Sequence, residues 1–125
     1  MIYFDKVTKE YKNGDRVIDD VTLTIEPKEF VSIVGKSGAG KSTLLHILGT
    51  LDTPTSGEVR ILNQSVFDQS EDSLARFRNQ TMGFVFQFHH LLGEFNALEN
   101  VMMPARIAGE SVKSVRRNAE KLLDL

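Results

Sequence analysis

The sequence predicts an α/β fold: an antiparallel β portion, then a strand–loop–helix unit, then a further strand and surface helices. Three observations carry this reading. Apolar and polar residues alternate over Ile2–Tyr11 and Val17–Ile25, the pattern of strands with one buried face. Phe30–Val34 is apolar at nearly every position, as a strand of a parallel sheet covered on both faces must be. Directly after it comes GKSGAGKST, residues 35–43, and then Leu44, Leu45, Ile47, Leu48 and Leu51 at helical spacing.

Each element has a local reason. Asn13-Gly14-Asp15 is turn chemistry and makes the first two strands antiparallel neighbours. Asp52-Thr53-Pro54-Thr55-Ser56-Gly57 stops the helix that comes after the glycine loop, and Val59 and Ile61 begin another strand. Ser70 can cap a short helix through Arg78. Met82–Phe86 reads as a second buried strand, ending at Gln87. Asn96, with Glu99 three positions on, has the spacing of a capping box and opens a helix that Pro104 bends or ends. Ser111 opens the last helix, with Val112, Val115, Ala119 and Leu122 on one face and Lys113, Arg116, Arg117 and Glu120 elsewhere. No repeat, low-complexity stretch or linker divides the chain, so residues 1–125 read as part or all of one domain.

Composition narrows the function classes. A net charge of -2 provides no basic excess for nucleic acid phosphates or an anionic membrane surface, so a membrane role has to run through a protein partner. The absence of cysteine excludes disulfides, thiolate metal sites and a cysteine nucleophile. No window has the roughly 18 apolar residues of a membrane span, and the start lacks the apolar stretch of a secretory signal, which points to the cytoplasm. His89 and His90 are adjacent and diverge, and His46 is distant, so a histidine metal site is not expected.

Gly35, four residues, Gly40, Lys41 and Ser42 match the phosphate-binding P-loop pattern, between a predicted strand and a predicted helix as that motif requires. Glycines let the backbone turn its amides inward. Those of Ser37, Gly38, Ala39, Gly40, Lys41, Ser42 and Thr43, with the positive end of the next helix, would surround phosphate oxygens. Lys41 adds a full charge to the outer phosphates, and the Ser42 hydroxyl can join the shell of a Mg2+ ion. The implied ligand is a nucleoside triphosphate. A dinucleotide fold fits less well, because the glycines run G-x-x-G-x-G and the lysine and serine would be idle.

The stretch GKSGAGKSTLLHILGTLDTPTSGEVRI, with Tyr11 before it and FVFQ after it, resembles the first half of an ATP-binding cassette ATPase, the engine subunit of ABC transporters. The resemblance covers essentially the whole chain and implies a P-loop NTPase core with ATP and Mg2+ as cofactors. It further implies that Tyr11 stacks on the adenine, that Val17 packs nearby, and that Gln87 is the Q-loop glutamine reaching the metal and the attacking water. QFHHLLGEFNALENVMMPARI resembles the lipoprotein-releasing LolD group, with the FtsE and MacB engines of cell division and efflux as near relatives. By that resemblance Phe88, Leu91, Leu92, Phe95 and the Met102-Met103 neighbourhood meet a coupling helix of a transmembrane permease pair on the cytoplasmic face of the inner membrane.

The same resemblance sets expectations for the residues beyond Gln87. A complete cassette also has a signature sequence, an apolar strand ending in Asp-Glu and a switch histidine, and none occurs by Leu125. Residues 1–125 therefore read as the N-terminal portion of one ABC ATPase domain, a poor ATPase or none by itself. Closure of the site would come from a second copy of the engine. The strands at Phe30–Val34 and Met82–Phe86 would flank strands contributed by the other half, so this segment is expected to have bare apolar edges and to aggregate, exchange segments or stay partly disordered. Two other readings stay open, a nucleotide-binding module without catalysis and a P-loop kinase of a small metabolite.

Overall fold

The computed structural model describes residues 1–124, which form two compact units, Met1–Leu74 and the residues from Ala75 onward. In the first unit the alternating stretches form the strands they predict. β1 (Ile2–Glu10) runs antiparallel to β2 (Arg16–Ile25) on one side and to β3 (Ser56–Ile61) on the other. A two-residue β4 (Gln64–Ser65) lies outside β3, giving the order β2-β1-β3-β4.

β1 is the centre of the core. Phe4 and Val7 are both fully buried, although residues three apart on an unbroken strand face opposite sides of a sheet. Between them the register shifts against β2, and Lys6 lies at φ +48°. That bulge adds the half-step that returns Val7 to the face of Phe4. Phe4 stands opposite Leu23 and Val59, and Ile18, Ile61 and Val66 complete the buried set with Ile47 from α1 (Lys41–Leu48). Each such side chain contributes roughly 1.5–3 kcal/mol by leaving water. α1 stops at Gly49, whose amide donates to the Leu45 carbonyl at 2.8 Å.

The turn after α1 is stitched to the end of β1. The Thr55 amide donates to the Thr8 carbonyl at 2.8 Å, and the Glu10 amide to Thr55 Oγ1 at 2.9 Å. α2 (Glu71–Thr81) opens with the Ser73 amide on Ser70 Oγ at 3.3 Å and runs one turn past Arg78.

In the second unit, α3 (Ala97–Ile107) has the capping box its sequence announces. The Glu99 amide donates to Asn96 Oδ1 and the Asn96 amide to Glu99 Oε2, both at 2.9 Å. Pro104 does not end α3, which continues to Ile107. α4 (Val112–Leu123) packs on α3 and is capped by Ser111, whose Oγ accepts the Ser114 amide at 3.3 Å. Its buried positions are Val115 and Ala119; Val112 and Leu122, expected on the same covered face, are exposed.

Two expected strands do not form. Neither Phe30–Val34 nor Met82–Phe86 is a strand, and Phe30 and Val85 are almost wholly exposed, at 94% and 103%. A strand is defined by hydrogen bonds to a neighbour. The four-stranded antiparallel sheet is built from β1 to β4, and no strand among the described residues lies alongside either run.

Candidate functional site

The glycine loop leads into α1 as its spacing predicts. Two residues carry the turn, Gly38 at φ +79° and Gly40 at φ +82°, in the left-handed region that side chains with a Cβ avoid. The Ala39 amide closes on the Lys36 carbonyl at 3.2 Å. Gly40 is the N-cap of α1, and no side chain caps this end. The first-turn amides of Lys41, Ser42 and Thr43 therefore find no partner within the helix, and the positive end of the helix dipole adds to them. Such an end favours an anion.

β2 is the wall behind the loop. A Cβ built on Gly40 would stand 2.6 Å from the Val17 carbonyl oxygen, 3.0 Å from Ile18 Cδ1 and 3.1 Å from Val17 Cγ1. Val17, one of the expected site residues, thus packs directly under the loop. Lys41 reaches back across it: Nζ donates to the carbonyls of Gly35 at 2.9 Å and Lys36 at 2.7 Å. Ser42 is exposed and Thr43 half-buried.

Tyr11 comes directly after β1, its backbone held in the predicted turn by bonds from its amide to the Asp15 carbonyl at 3.0 Å and from the Gly14 amide to its carbonyl at 2.8 Å. Its Oη lies 3.4 Å from Thr43 Oγ1 and 3.2 Å from Asp52 Oδ2, so the aromatic residue and the glycine loop share one neighbourhood. Lys9 Nζ pairs with Asp52 Oδ1 at 2.5 Å, donates to the Thr53 carbonyl at 2.7 Å and sits 5.1 Å from the Tyr11 ring centroid. Partial burial pushes the Asp52 carboxyl up. Bonding to Lys9, its charge, the Thr53 amide and the Tyr11 hydroxyl outweigh that and hold it below the usual aspartate value.

The structure thus brings Tyr11, Val17 and the loop residues Ser37 through Thr43 together in the first unit. Gln87 belongs to the second unit, at an exposed bend directly after Phe86. Lys9 and Asp52 were not singled out by sequence reasoning. Asp52 read only as part of a helix-stopping turn, and Lys9 as a polar position of an alternating strand.

A glycine loop of the pattern G-x-x-x-x-G-K-S entering a helix against β2 is the loop of the P-loop class, although the strand expected before it does not form. Within that class the chain belongs to the ABC transporter family, whose sequence profile matches residues 18–124. It is 51% identical over 121 residues to the lipoprotein-releasing system ATP-binding protein LolD of Bdellovibrio bacteriovorus, covering 94% of this chain and 55% of that one. To the protein of the same name from Geobacter metallireducens it is 52% identical over 120 residues, 94% of this chain and 53% of that one. A solved dimeric ATP-binding cassette in a post-hydrolysis state with ADP and Pi is similar at TM-score 0.88 and 42% identity, over 99% of this chain and 56% of that one. The chain spans about half the length of the curated relatives it matches. Among the described residues no helix is long and apolar enough to cross a membrane.

Proposed function

We propose that residues 1–125 are the N-terminal, nucleotide-binding portion of an ABC transporter ATPase domain, the engine of a lipoprotein-releasing system. The observation that carries this reading is the loop: two left-handed glycines, an uncapped helix start and Lys41 folded across its mouth. This donor set is rich in N–H groups and cationic charge and poor in acceptors, which suits a triphosphate tail.

In the proposed mechanism the amides from Ser37 to Thr43 hold the phosphate oxygens, that of Ala39 giving up the Lys36 carbonyl to do so. Lys41 exchanges its two carbonyl partners for the outer phosphates, where its charge offsets charge developing on the transferred group. Tyr11 stacks against adenine, with Val17 supporting the loop beneath. A bound Mg2+ would neutralise phosphate charge; Ser42 Oγ is the ligand this unit offers it, and Gln87 would help hold the metal and orient the attacking water. In the complete engine a second copy closes the site, and a transmembrane permease pair on the cytoplasmic face of the inner membrane receives the motion. The name of the LolD relatives and their identity near 50% support lipoprotein release as the task. Exposed Phe88, Leu91 and Phe95 support a protein partner beyond Gln87. Residues 1–125 alone are expected to bind nucleotide and to hydrolyse it poorly.

Isothermal titration with Mg-ATP and Mg-ADP tests the reading. Uptake by the folded chain, weakened about tenfold or more in Lys41→Met, is the expected result. No uptake, or equal uptake by the variant, would overturn it.

A further inference from the structure

We infer that Asp52, with Lys9, is a positioning residue for Tyr11, fixing the ring as a one-faced platform for a purine and tying that platform to the phosphate loop. The inference rests on the nucleotide reading above and adds two residues to it.

The hydrogen-bond inventory fixes the direction of the chain. A phenol has one proton, and an ionised carboxylate only accepts. Tyr11 Oη therefore donates to Asp52 Oδ2 at 3.2 Å, and across the 3.4 Å to Thr43 the hydroxyl of Thr43 is the donor. The order runs Thr43 to Tyr11 to Asp52, from the first turn of α1 to the carboxylate. Asp52 is itself anchored: its amide donates to the His46 carbonyl at 3.2 Å and Oδ1 accepts the Thr53 amide at 2.8 Å.

Lys9 completes the bracket. An ammonium has three protons, and two go to Asp52 Oδ1 and the Thr53 carbonyl. The group also stands 5.1 Å from the ring centroid, within cation–π range. One ring face is thereby taken by Lys9, and a base is left the other. The backbone of Tyr11 is already fixed by its turn, and the residue is 40% exposed. Without Asp52 the ring would keep its backbone anchor but lose the partner that sets its torsions. Stacking would then require ordering a mobile side chain, which lowers affinity for the base and leaves the phosphate loop unchanged.

The test compares ATP with inorganic tripolyphosphate, which lacks the base, by calorimetry on variants checked for folding by circular dichroism. Asp52→Asn is expected to weaken ATP about three- to tenfold while tripolyphosphate changes less than about twofold. Lys9→Met, which removes the bracket from its other side, should repeat the pattern and serves if Asp52→Asn does not fold. Asp52→Glu should recover part of the loss. In a Tyr11→Ala background, Asp52→Asn should cost little more, because a residue acting through the ring has nothing left to position. Equal losses for both ligands, no loss for either, or additive losses with Tyr11→Ala would overturn the inference. Unchanged ATP affinity in Tyr11→Ala alone would overturn the stacking it rests on, and absence of tripolyphosphate binding would overturn the phosphate reading instead.

Discussion

Replacing Gly40 by alanine adds one methyl group to the tightest point of the site. The residue lies at φ +82°, where a Cβ costs about 1–2 kcal/mol on backbone grounds alone. The new carbon would also stand 2.6 Å from the Val17 carbonyl oxygen, which is backbone within β2 and unable to swing aside as a side-chain tip could. Overpacking of this kind costs about another 1–3 kcal/mol, for a total of about 2–5. Gly38 provides the control. Its φ of +79° is nearly the same, yet a Cβ there meets nothing within 4 Å, so Gly38→Ala should show the backbone term alone. Urea unfolding followed by circular dichroism would measure both, and calorimetry with ATP would register the shift of the loop away from β2. If Gly40→Ala were no less stable than Gly38→Ala, the close packing of loop on strand would be wrong, and with it the role of Val17 as a wall.

Other parts of the chain give two further expected outcomes. Asn96→Ala removes one arm of the capping box and should destabilise α3 by about 1 kcal/mol, seen as faster amide exchange in its first turn; unchanged exchange would refute the cap. The folded-state pKa of Asp52 is depressed, so its contribution is fully present above the unfolded value and is lost as pH falls through the folded one. The melting temperature of Asp52→Asn should therefore lie below wild type at neutral pH and converge with it below about pH 4; a gap that persisted in acid would refute the ion pair with Lys9 as its source.

The features legible in the sequence were those that depend on neighbours along the chain. Asn96 and Glu99, Ser70, Ser111 and the turn at Asn13-Gly14-Asp15 all act within a few residues, and each performs as its type predicts. The glycine loop belongs with them, because Gly38 and Gly40 are needed for local torsions and α1 begins where the motif ends. The bracket around Tyr11 was not legible. Lys9 and Asp52 are 43 positions apart, and only the folding of the turn after α1 back onto β1 brings their charges to 2.5 Å. The bulge at Lys6 was equally hidden, since it adjusts pairing with two other strands rather than the propensity of β1 itself.

The two failed strand expectations sharpen this distinction. Phe30–Val34 and Met82–Phe86 have the composition of strands buried on both faces, and composition is all that periodicity can read. A β-ladder is a property of two segments. β1 gains from it on both edges, with β2 and β3 alongside, whereas the described residues place no ladder against either apolar run. The hydrophobic pattern thus specifies that these segments are to be covered without specifying by what. Exposed Phe30, Val34, Val85 and Phe86 are the form such an unmet requirement takes. The glycine loop stands between one of these runs and α1, yet it keeps its geometry because its support comes from β2 through Gly40. The geometry of the loop therefore depends on the antiparallel sheet and α1, and not on a ladder along either apolar run.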